Sequence, residues 1–206
     1  MSEPDLNQFF QTIKDTAKQS FADGKSMPEM MRVLFEKAEK KAEASLCDDQ
    51  LKHMDCKKGC SVCCHVNVAV LAPEAETIAE HIMANTSDAE MDVLKENMSG
   101  LLLNIKFLTD EERLFLHRPC VFLDEDGGCG IYDVRPLLCR SITSADADAC
   151  VSAIKMVALN QGVLIPMNIT QKVIMDTAFK ALAEAMDEHG ISSVSRELTD
   201  SVFELL

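Results

Sequence analysis

Eight of the nine cysteines in this 206-residue chain fall into two groups: Cys56, Cys60, Cys63 and Cys64, then Cys120, Cys129, Cys139 and Cys150. Core packing explains four thiols within nine residues poorly, because Leu or Ala would fill the same volume without the oxidation hazard. A helix over 56–64 would put the first four on one face, but Lys57, Lys58 and Gly59 make a buried helix there unfavourable. Thiolates are soft ligands that suit zinc, copper(I) and iron–sulfur clusters, whereas hard cations want oxygen. A tetrahedral zinc site takes four ligands, and a cubane cluster usually takes four cysteines. The short spacings of the first group lower the chain entropy lost when sulfurs converge, and the second group must then fold back onto the first. All eight are therefore the expected metal ligands. They suffice for two sites, or for one site with spare thiols, and the sequence leaves the pairing open.

The residues around the cysteines fit that expectation. Four thiolates about a divalent ion leave a net charge of about −2, which nearby donors offset. Lys57, Lys58, Arg135 and Arg140 stand in the right stretches to do so. His65, directly after Cys64, and His117 are weaker ligand candidates, and Cys47 lies apart as an ordinary structural cysteine. There is no Gly-rich phosphate loop, no G-x-S-x-G elbow and no H-E-x-x-H helix.

Charge bears on partners. With 34 acidic and 20 basic residues the net charge is −14, which gives nucleic-acid binding or an anionic membrane surface no electrostatic support. The first residues, Met1-Ser2-Glu3-Pro4-Asp5, show neither a basic nor an apolar leader region, and no apolar run approaches a membrane span. The expected location is the cytoplasm. In that reducing compartment nine cysteines point to metal or redox chemistry, not to a disulfide framework.

Periodicity predicts helices over 5–22, stopped by Gly24, and from Ser26 and Pro28 onward. Further helices are expected over 72–83, from the Ser87/Glu90 capping box to about Ile105, and from Thr109/Glu112 to near His117. Another runs from after Ser144 to about Gln161, another from about Thr170 to His189, and an amphipathic segment ends the chain. Val66 to Val70 alternates toward β, and Cys120–Leu123 with Cys129–Tyr132 reads as a hairpin about an Asp- and Gly-rich turn. The expected fold is mainly α (α+β): one domain over 1–206, in which residues 55–150 form a cysteine-cluster core with helical elaborations at both ends, and a small β-hairpin or knuckle carries the cluster.

Three segments together resemble the YkgJ-type cysteine-cluster family, described as a zinc- or iron-chelating domain. They are Cys56-Lys57-Lys58-Gly59-Cys60-Ser61-Val62-Cys63-Cys64, Pro119-Cys120-Val121-Phe122-Leu123 and Gly128-Cys129-Gly130-Ile131-Tyr132-Asp133-Val134-Arg135-Pro136-Leu137-Leu138-Cys139-Arg140. The family label is C-x2-C-x2-C-C, and the first gap here has three residues. The resemblance implies metal chelation, with iron or an iron–sulfur cluster as cofactor and zinc as the alternative. Flagellin lysine N-methylases are similar in their cysteine-rich part, although no loop for a methyl donor is identifiable. The expected function is thus a metal-binding protein with a redox or enzymatic role. The alternatives are a structural zinc module acting as an interaction scaffold, a metal buffer or chaperone, and a lysine N-methylase-like enzyme.

Overall fold

The helix boundaries follow local chemistry, as a computed structural model of the chain shows; it describes residues 4–47, 50, 52–116, 118–157 and 165–206. Asp5 accepts from the Gln8 N–H and opens α1 (Leu6–Ala22), which closes before Gly24 at φ 66°. Ser26 and Glu29 form a reciprocal capping box on α2 (Met27–Ser45), with Pro28 in its first turn. After the first cysteine group come β1 (Ala69–Val70), α3 (Ala72–Asn85) and α4 (Asp88–Ile105), the last opened by the Ser87/Glu90 capping box. The Thr109/Glu112 box opens α5 (Asp110–Phe115), and the expected end near His117 lies outside the described residues.

The second half is more broken. A single 3-10 turn spans Tyr132–Val134, and Pro136 precedes the short α6 (Leu137–Ser141). Helix α7 (Ala147–Val157) follows, and its expected continuation to Gln161 lies outside the described residues. Helix α8 (Ile169–Glu188) is capped by Asn168 and ends before Gly190. The final segment divides into β2 (Arg196–Glu197) and α9 (Leu198–Phe203).

Two apolar clusters organise these elements. In the first, α1, α2 and α8 bury Ile13, Met31, Leu34 and Leu182, and α6 rests on α8 through Leu137. The second gathers Val70, Ile78, Met98, Phe122, Ile131 and Val202, and the side chains of Cys120, Cys129 and Cys139 lie against it. The fold is mainly α, with a two-stranded sheet in which β1 pairs antiparallel with β2 from the far end of the chain. The hairpin expected at 120–132 is reduced to one bridge, Leu123 to Cys129, closed by an Asp124 N–H to Gly128 carbonyl bond of 2.9 Å. A longer ladder is prevented because the Cys120 N–H is committed elsewhere and the chain after Ile131 winds into the 3-10 turn. Among the described residues no helix is long and apolar enough to cross a membrane.

Candidate metal centre

The two cysteine groups, distant in sequence, meet through the backbone. The Cys120 N–H donates to the Cys64 carbonyl at 2.7 Å, which lays the second group directly on the first. Within the first group, Gly59 takes φ 94°, a left-handed conformation that turns the chain so that the Cys60 N–H reaches the Lys57 carbonyl at 3.0 Å. A second turn follows at Ser61–Cys64, so no helix runs through 56–64.

Cys56 is held differently. Its Sγ accepts the Ser144 N–H at 3.1 Å, and the neighbouring Asp55 N–H donates to the Ser144 carbonyl. The Asp55 carboxylate accepts the Ala147 N–H at 3.0 Å, the first backbone donor of α7. Since α7 carries Cys150, this clasp brings Cys150 within electrostatic reach of Cys56, along with Cys60 and Cys63.

The loop from Cys120 to Cys129 is shaped by Asp124, whose Oδ1 accepts the N–H groups of Asp126 and Gly128. A Cβ on Gly128 would stand 2.4 Å from the Asp124 carboxylate, so the second of the paired glycines is required by close approach. Backbone N–H groups of Phe122 and Ile131, each two residues further on, pull against the upward shift of the Cys120 and Cys129 thiols. Donors placed so around sulfur favour the thiolate.

Two cavities are each lined by four or more of the cysteines. The smaller, about 60 Å³, is walled by Cys60, Cys63, Cys64, Cys120, Cys129 and Cys139 with Val68 and Ile131 behind them. The larger, about 330 Å³, is lined in part by Cys56, Cys60, Cys63 and Cys139. Cys60, Cys63 and Cys139 therefore stand between the two, and Cys47 borders neither. All nine cysteines are free thiols and half-buried. Among the described residues, no three His, Cys, Asp or Glu side chains stand close enough to hold an ion as they are. Neutral thiols have no reason to crowd together, and a cation's charge supplies the attraction that would draw them in.

The protonation of these thiols follows from their surroundings. The bond to the Cys64 side chain, then burial, raises Cys63 far above the ordinary thiol range. Burial is the main cause for Cys120, pushed up to about 11, and for Cys56, Cys129 and Cys139, which are also raised. A soft cation reverses this preference by replacing the protons. The donor set, six sulfurs around a small cavity with apolar backing, thus fits a thiolate-bound metal.

The neighbouring cations divide the work. Arg135 is the one whose charge favours the thiolates of Cys63, Cys129 and Cys139. Its guanidinium lies 3.8 Å from the centre of the Tyr132 ring, and Lys58 lies 5.5 Å from the same ring. Arg140, directly after Cys139, instead holds backbone: it donates to the carbonyls of Arg135 and Asp133, pairs with Glu39 and covers the Phe35 ring. His65 buries its Nδ1 without a hydrogen-bond partner among the described residues and borders neither cavity. His117 lies outside the described residues.

Several residues here carried no sequence signal. Glu74 is fully buried, and its two oxygens accept the N–H of Leu71 at 3.0 Å and of Leu137 at 2.8 Å, tying the start of α3 to the start of α6. Arg113 pairs with Glu197 at 2.8 Å beside Cys120. The place of Glu74 three residues after Leu71 is recognisable as a helix start, but its second partner is not.

No curated protein and no solved structure is found to match this chain. A family profile does match, over residues 55–159, slightly more than half the chain, and its segment contains all eight cysteines of the two groups. The chain belongs to the CxxCxxCC family, described as a "putative zinc- or iron-chelating domain".

Proposed function

We propose that this protein chelates iron, as a mononuclear or iron–sulfur centre, through Cys56, Cys60, Cys63, Cys64, Cys120, Cys129, Cys139 and Cys150, and that the centre serves a redox or enzymatic role in the cytoplasm. The observation that carries the reading is the wall of six cysteines around the small cavity, with Cys56 and Cys150 joined beside it by the Asp55–Ser144 clasp. An iron–sulfur cluster brings its own sulfide and needs about four cysteines, so eight leave room for two centres. Backbone N–H groups aimed at Cys56, Cys120 and Cys129, and the Arg135 charge, would stabilise the anionic centre.

The test is anaerobic purification from iron-replete cells, elemental analysis, and Mössbauer or electron paramagnetic resonance spectroscopy. The expected protein is brown, with thiolate-to-iron absorption bleached by dithionite. A colourless protein with stoichiometric zinc would replace this reading with that of a structural zinc module, in which every coordination position is filled. The larger cavity against four of the cysteines favours the iron reading, since a closed structural site has no use for an adjacent space.

A further inference from the structure

The larger cavity has a chemistry of its own. At about 330 Å³ it is the size of a small-molecule site, and its walls come from α2, the first cysteine group, the 132–143 stretch and α8. Three of its polar side chains, Glu39, Arg140 and Gln171, are already engaged. Arg140 is satisfied by Glu39 and two carbonyls, and the Gln171 amide donates to the Arg140 carbonyl at 2.9 Å. Two are not. Arg135 donates its Nε to the Tyr132 carbonyl at 3.2 Å and lies over the Tyr132 ring, and among the described residues its terminal nitrogens have no hydrogen bond and no ion pair. Thr143 is 8% exposed, and among the described residues its hydroxyl has no hydrogen-bond partner. A buried hydroxyl left so is unfavourable unless a ligand or water completes it.

Resting on the metal reading above, we propose that this cavity binds a small organic carboxylate beside the cysteine centre. The carboxylate is held by the Arg135 guanidinium and the Thr143 hydroxyl, and a short aliphatic body lies against Leu46, Met54, Ile142 and Met175. A planar guanidinium with two free terminal nitrogens matches a carboxylate, and the Lys57 ammonium on the same cavity adds positive charge that favours an anion. A phosphate dianion is disfavoured by Glu39 and Glu43, which also line the cavity, and by the thiolates themselves. Four of the cysteines line the cavity, so the bound molecule lies near the centre.

The test is calorimetric titration of the metal-loaded full chain with acetate, butyrate and the uncharged butyramide, for the wild type, Arg135→Gln and Thr143→Val, with metal per chain measured on the same samples. Butyrate is expected to bind about tenfold more tightly than acetate, because two further methylenes are buried. Butyramide should bind at least tenfold more weakly than butyrate. Arg135→Gln should weaken butyrate about tenfold or more, and Thr143→Val, which touches no part of the metal centre, about threefold or more at full metal content. Equal affinity for butyrate and butyramide, no measurable butyrate binding, or unchanged butyrate affinity in both variants would overturn the proposal. Should Arg135→Gln lose metal as well, Thr143→Val at full metal content decides: weakened butyrate supports the site and unchanged affinity overturns it. A wild type that takes up neither iron nor zinc overturns the metal reading instead, and the same titrations on that protein still decide the cavity.

Discussion

Among single residues, Cys63 occupies the most consequential position, between the two cavities and within electrostatic reach of Cys56, Cys129 and Cys139. If a metal joins the two cysteine groups, its binding free energy is also folding free energy. Cys63→Ser is therefore expected to lower metal content and thermal midpoint together, while Cys47→Ser, outside both cavities, changes stability by no more than about 0.5 kcal/mol. Elemental analysis with calorimetry reads both; lost metal at unchanged stability would mean that the fold does not depend on the centre. Glu74 is the other decisive residue. Glu74→Ala strands two buried N–H groups, each worth about 1–3 kcal/mol, so denaturant unfolding should show a loss of about 2–5 kcal/mol. Burial pushes the Glu74 carboxyl up to about 7 from an ordinary 4.5, against the opposing pull of its two N–H bonds. The folded chain then holds this proton more tightly than the unfolded chain, so this contribution to stability is full below about 4.5 and falls as pH rises towards about 7. Glu74→Gln should flatten that dependence.

At the scale of elements, local rules located the helices well and the loops between the cysteines less well. The caps at Asp5, Ser26, Ser87 and Asn168 act within four residues, so a short window of sequence contains the whole interaction. The Asp124–Gly128 turn is equally local, and was legible for the same reason. The strands flanking it were not, because whether Cys120 pairs within a hairpin or with Cys64 depends on a segment more than fifty residues earlier. The clasp at Asp55 is a long-range cap of the same physical kind as the local ones. Asp55→Ala should cost about 0.5–2 kcal/mol and reduce metal content by freeing Cys56 from Cys150, whereas Asp55→Asn, which still offers an oxygen to the Ala147 N–H, should retain most of both. Thermal unfolding and metal analysis of the pair distinguish a cap from a mere charge.

Across the whole molecule, the two apolar clusters divide the labour. One is built by α1, α2 and α8 and needs no cysteine, while the other rests against Cys120, Cys129 and Cys139. Stripping metal with a strong chelator under reducing conditions is therefore expected to act unevenly. Hydrogen exchange should speed up across 56–64 and 120–150 well before it does in α1 and α8; uniform loss of protection would show one cooperative unit.

The pattern of thiols, helix periods and caps determined that this chain would be mainly helical and would gather soft ligands, since those signals depend on residue type and short spacing alone. Only the tertiary structure decided that Cys64 meets Cys120, that β1 takes its partner from Arg196–Glu197, and that Thr143 and Arg135 face a shared cavity. Each of those contacts joins residues whose local sequence is compatible with many partners, and it is the burial of two apolar clusters that selects one arrangement.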